Sequence, residues 1–302
     1  MKLKFNLLAA AVVAFAATGA QAQLSAVGAG TTASNSANGS LTFVALDSVG
    51  SPISFAANLD FNLLTFLPTS GVNTPGQTIV WNFGTNSVAV NGDARAASIG
   101  NYQYSTPFAT LLGNAQSTEL TWGVFAADGN GNAVAGANNA PRRNLATTGA
   151  PDANQLALIT NAKITGATAN IASLSTILNG SAAPNTIQAG VGAQTATSGT
   201  AYIGDTGGTA LRTNYGGQFT FDYMVADQMA SNFTLFTSGA SGTIPGAITQ
   251  YSTLGGDSTF KFDLQANTLT WQTAPVPEPS TFGMLVAGLA AIGAIARRRR
   301  SV

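Results

Sequence analysis

A handful of residues in this sequence have types and spacings that could do chemistry. Asp128-Gly-Asn-Gly-Asn132 sets side-chain oxygens at alternate positions, as a calcium-binding loop begins. Such a loop needs glycine at its sixth position and glutamate at its twelfth, and this chain has Ala133 and Asn139 there. Asp128 with nearby backbone carbonyls is left as a weak calcium candidate. A plain turn, which Asp-Gly and Asn-Gly favour, is the simpler reading. Glycoside hydrolysis needs two carboxylates on one site. The eleven acids between residues 23 and 276 are scattered, and Asp60, Glu119, Asp222 and Asp263 fall on polar strand faces or strand ends. Each is expected to be a solvated surface acid. Lysine nucleophiles could only be Lys163 or Lys261, neither of which lies in a recognisable motif. Trp81, Trp122 and Trp271 could stack on sugar rings if exposed, but each occupies the apolar phase of its segment and is expected in the core.

The chain has no cysteine and no histidine. Ser-His-Asp and Cys-His nucleophile systems are therefore excluded, as are zinc sites built on those residues. Gly256-Asp257-Ser258 resembles the Gly-Asp-Ser block of one esterase family. That block lies near the mature N-terminus and works with a histidine, so here a turn into a strand at Phe260 is expected. No disulfide can form, and packing alone must hold the fold. No cofactor is implied. Neutrality is apparent only: Lys2, Lys4 and the four terminal arginines sit outside the middle, where eleven acids face six bases, a net charge of −5. No basic stripe exists for phosphates to neutralise, which argues against nucleic-acid binding.

The elements that must position these residues are mostly strands. Phe219, Phe221, Tyr223 and Val225 alternate with polar residues, and so do Leu59, Phe61 and Leu63. The same period links Ile79, Trp81 and Phe83, then Leu120, Trp122 and Val124, then Phe260, Phe262 and Leu264. A short turn at Gln265 to Asn267 leads to Leu269 and Trp271, a closing hairpin. One apolar face and one Thr/Asn/Asp face predicts antiparallel sheets buried on one side. The expected fold is all-β, an antiparallel sandwich or jelly-roll-like body over residues 41–275. Ile164, Ala167, Ile171, Leu174 and Leu178 fall at helical spacing, with Gly180 and Pro184 beyond, so one or two short helices are inserted near 152–180. Residues 128–148 and 189–200 read as long mobile loops, and 23–40 as a flexible mature N-terminus.

The two ends have their own pattern. Lys2 and Lys4 precede an apolar run from Phe5 to Ala17, and Ala20-Gln-Ala22 ends it with the small residues signal peptidase reads. Residues 1–22 are thus an expected signal helix, with Gln23 as the mature start. Phe282 to Ala296 is a second run of 15 residues without charge. As a helix it is about 22 Å long, near the lower limit for crossing a bilayer. Arg297, Arg298, Arg299 and Arg300 follow and prefer the cytoplasmic side. Pro277 and Pro279 keep the preceding peptide extended.

Val276-Pro277-Glu278-Pro279-Ser280, the short glycine-rich apolar segment and the arginine run together resemble the PEP-CTERM sorting signal of exported Gram-negative proteins. The resemblance covers residues 276–302. It implies recognition by an exosortase, an inner-membrane cysteine protease, a transient stay in the inner membrane, and removal of the tail on the way to the surface or matrix. It also implies work beside exopolysaccharide, in biofilm or floc, without catalysis. A lectin-like module binding carbohydrate or calcium is the alternative, and a carboxylate-dependent glycoside hydrolase the second.

Overall fold

The computed structural model describes residues 39–66, 76–97, 101–128, 143–147, 158–180, 192–199, 202–204, 225–238, 247–250, 259–273 and 289. Among them are thirteen strands: β1 (Ser40–Asp47), β2 (Ile53–Asn62), β3 (Thr78–Asn82), β4 (Ser87–Val90), β5 (Asp93–Ala94), β6 (Thr121–Asp128), β7 (Arg143–Thr147), β8 (Ala193–Ala196), β9 (Val225–Ala226), β10 (Ala230–Thr237), β11 (Ala247–Gln250), β12 (Thr259–Asp263) and β13 (Thr268–Gln272). Three helical segments accompany them: α1 (Leu63–Phe66), α2 (Ser105–Asn114) and α3 (Asn161–Gly180). The strands form one antiparallel sheet in the order β5-β4-β3-β13-β12-β10-β7-β6-β1-β2-β8, with β11 beside β10 and β9 beside β6.

The all-β antiparallel character follows the expected alternation. The facing layers are two limbs of a single curled sheet, and β10 is the corner. Its first residues, Ala230–Asn232, pair with β12, while Phe233–Thr237 pair with β7. The limbs meet across an aromatic core in which the Phe43 ring lies 4.9 Å from Phe262 and 5.1 Å from Phe83. Phe55, Phe66, Phe108, Phe260 and the three tryptophans complete it. Ring pairs at such spacings add to what area burial alone contributes.

One-sided burial holds for β3, β12 and β13, where inward residues alternate with exposed or half-buried ones. It fails for β1, β2, β6 and β7, which are buried on both faces. The cause is α3. Its Ile164, Ile171, Leu174 and Leu178, the residues at helical spacing in the sequence, cover a second cluster of Val44, Phe125, Ala146 and Phe236. Thr168, Ser175 and Asn144 on this covered side are satisfied locally. Thr168 and Ser175 donate to the carbonyls of Ile164 and Ile171 at 2.8 and 3.0 Å. Asn144 Nδ2 on β7 donates to Thr168 Oγ1 at 3.0 Å.

Two expected loops contain strands. β7 lies mid-sheet between β6 and β10, and β8 pairs with β2. Neither shows alternation, because a strand covered on both faces offers no polar contrast and small residues carry little hydropathy signal. α2 was unannounced by periodicity; its Pro107 sits in the first turn, where no intrahelical donor is lost, and only Pro107, Phe108 and Leu111 are buried. No helix among the described residues is long and apolar enough to cross a membrane. The expected signal helix, the flexible segment up to residue 38 and, apart from Leu289, the terminal 276–302 lie outside the described residues. So do the alternating 218–224, the linker 129–142 and Gly256-Asp257-Ser258.

Candidate functional site

Asp60 departs most from its expected place. Instead of facing solvent it is 5% exposed. The pairing of β1 with β2 runs Thr42 to Asn58 and then Ser40 to Asn62, so β2 carries two extra residues at this point. Asp60 absorbs the bulge with φ 62°, a left-handed conformation that aspartate tolerates better than most side chains. The bulge turns its carboxylate inward. Oδ2 accepts from the Tyr102 hydroxyl at 2.8 Å and lies 3.5 Å from Arg95 Nε. Arg95 Nη2 also donates to the Asp60 carbonyl at 3.0 Å, and its guanidinium covers the Phe61 ring at 4.0 Å. Next door, Asn58 Oδ1 accepts from Asp60 N–H at 3.0 Å and the Asn58 carbonyl accepts from Tyr104 hydroxyl at 2.7 Å. Trp81 Nε1 donates to the Leu59 carbonyl at 2.9 Å. Burial, and then the hydrogen bond to Asp60, push the Tyr102 phenol far above its usual range, and burial does the same for Tyr104. These contacts clamp a bulged backbone. Arg95 and the tyrosines had no motif to reveal them; the one hint was an arginine in a body with so few bases.

Three further acids, Asp47, Asp227 and Asp263, also serve the backbone. Asp47 is buried and accepts from Val49 N–H and Gln116 N–H, both at 2.8 Å, which ties the β1–β2 turn to the residues after α2. Asp227 accepts from Leu264 N–H at 3.0 Å and Asp263 from Ala266 N–H at 2.9 Å, around the β12–β13 turn. Burial raises the Asp227 carboxyl above the ordinary aspartate value. Glu119 and Lys261 are exposed as expected, and Lys163 Nζ lies 3.3 Å from the Leu158 carbonyl. Asp128 ends β6 opposite Arg143. Among the described residues no group of three or more acids, histidines or cysteines is arranged for a metal. All three tryptophans are in the core, as read from the sequence. Gln194 on β8 is buried with neither carboxamide atom hydrogen-bonded.

The remaining feature is where the chain leaves the sheet. β13 lies between β3 and β12, fully paired on both sides. Thr273 continues it: its N–H donates to the Gln77 carbonyl at 2.9 Å, and its Oγ1 accepts from Gln77 N–H at 2.8 Å. The body is locked up to Thr273. Val276, Pro277, Glu278, Pro279 and Arg297 to Arg300 follow outside the described residues, as Ala20, Ala22 and Gln23 do at the other end.

No curated protein sequence and no solved structure matches the chain. A family model does match residues 275–300, beginning two residues after Thr273. It implies export, processing by an exosortase and an intermediate anchored in the membrane by its C-terminal segment. What the folded body delivers to the end of β13 is therefore a PEP-CTERM protein-sorting motif at residues 275–300.

Proposed function

We propose that the protein is a non-catalytic component of the cell surface or extracellular matrix, working beside exopolysaccharide in biofilm or floc. Signal peptidase cuts at Ala22–Gln23, and an exosortase then removes the tail. The observation that carries this reading is the sorting motif joined directly to a closed, aromatic-cored body. Supporting it, charged residues are only 8% of the chain, which suits a surface working by many weak uncharged contacts. Asp47, Asp60, Asp227 and Asp263 are engaged in holding turns and a bulge. Trp81, Trp122 and Trp271 are all buried, so none of the three is a sugar-stacking surface for the lectin reading.

The test is deletion of the gene in an exopolysaccharide-producing host, with complementation by wild type and by a Pro277→Ala, Glu278→Ala, Pro279→Ala triple variant. Reduced aggregation on deletion, restored only by the wild type, is the expected result. Shortening of purified exopolysaccharide by the protein would instead make it a hydrolase.

A further inference from the structure

The two limbs of the sheet differ in their outer sides. α3 lies over the β7-β6-β1 limb and buries it. On the other limb, Phe260, Phe262, Leu269, Trp271, Ile79 and Trp81 point into the core, and the residues between them point out. The strand register ranks those outward residues in levels. Lys261, Thr270, Val80 and Ala89 lie side by side across β12, β13, β3 and β4. Asp263, Thr268, Asn82 and Ser87 form the next level, two residues along. Each of these is half-buried or exposed. On the four strands the only charged residues are Lys261 and Asp263, one of each sign. Lys261 forms no salt bridge among the described residues, and Asp263 gives Oδ1 to the Ala266 N–H at 2.9 Å. The middle of the face, around Thr270 and Val80, is uncharged, as the centre of a protein interface is.

We infer that this face is a self-association surface, on which two copies of the chain pack face to face about a two-fold axis. The charge pattern selects the axis. A two-fold parallel to the strands keeps each level opposite itself and cannot bring Lys261 to Asp263. A two-fold lying between the sheets, perpendicular to the strands and midway between the two levels, sets each strand against its own copy in the opposite direction. The 261 level of one copy then meets the 263 level of the other. Lys261 faces the partner's Asp263 and Asp263 faces the partner's Lys261, so both ion pairs form together and no like charges meet. Thr270 falls against the partner's Thr268, and Val80 against the partner's Asn82. Strands about 4.8 Å apart and about 17 Å long make the four-strand face roughly 300 Å² in outline. With side-chain relief, β5 and the flanking turns, two copies bury on the order of 1,000 Å², the lower bound for a specific interface. The dimer is therefore reversible, with a dissociation constant in the micromolar range.

The test is sedimentation equilibrium of the full chain in density-matched detergent, up to sub-millimolar concentration, with the fold of each variant checked by circular dichroism. A monomer–dimer equilibrium is expected for the wild type. Lys261→Glu, at an exposed position, sets two acid–acid pairs across the axis and should weaken association about tenfold. The Lys261→Glu, Asp263→Lys double variant exchanges the signs and should restore it. Thr270→Arg puts a charge at the centre of the face, away from the β12–β13 turn, and should also weaken association. A monomer at every concentration overturns the inference and leaves the face to another occupant. So does a dimer unmoved by both Lys261→Glu and Thr270→Arg, which would be held through another surface. A correctly folded double variant that associates as poorly as Lys261→Glu overturns the two-fold arrangement.

Discussion

Asp60 shows how much one residue does here. Its carboxylate sits beside Arg95 and Tyr102 on a left-handed backbone inside the sheet. Asp60→Ala removes the acceptor and adds strain at positive φ. Breaking a buried pair costs about 3–5 kcal/mol, but Arg95 keeps 31% of its side chain in solvent and the loss is correspondingly screened. A loss of about 2 kcal/mol in urea unfolding is expected, with Asp60→Asn losing less because asparagine tolerates the conformation and can still accept from Tyr102. Gln194 makes the opposite case. Its carboxamide is buried without partners, so Gln194→Met is expected to stabilise by about 1 kcal/mol in the same measurement. Tyr102 and Tyr104 predict an alkaline limit. Their folded phenols ionise above the usual value of 10, so the stability they contribute is complete below pH 10 and is lost as pH rises through their folded values. Tyr102→Phe should show a shallower loss of stability above pH 10 in circular-dichroism titration than the wild type.

At the scale of elements, α3 decides which face of the sheet meets water. It turns the outer side of the β7-β6-β1 limb into a second core, so its apolar residues contribute as core residues do. Leu174→Ala should cost about 2–4 kcal/mol in denaturant unfolding, whereas Lys261→Ala on the solvent face of β12 should cost less than about 0.5 kcal/mol. Comparable losses from the two would mean the helix does not hold its face. The β12–β13 hairpin is specified more locally. Asn267 takes φ 60° in its turn, and Asp263 and Asp227 cap the amides of Ala266 and Leu264.

For the whole molecule, the body and the tail are joined with almost no slack. Thr273 is the last residue held by Gln77, and the sorting motif starts at 275. Removal of the tail anywhere after Thr273 leaves the sheet complete, since β13 is already paired on both sides. The mature protein recovered from exosortase-active cells is therefore expected to end at or beyond Thr273, as read by intact mass. In cells carrying the Pro277→Ala, Glu278→Ala, Pro279→Ala variant, the full tail should persist in the membrane fraction.

The sequence alone determined the strands whose one face is wet, the closing hairpin, the register of α3, the core placement of the tryptophans and the sorting motif. These are local patterns: period two, period 3.6, or an order of short segments, each legible within a few residues. Tertiary structure alone decided that β7 and β8 are strands, because strands covered on both faces lose the contrast that marks them. It alone brought Asp60 to Arg95 and Tyr102, 35 and 42 residues away, because a bulge turned a side chain that strict alternation would send to solvent.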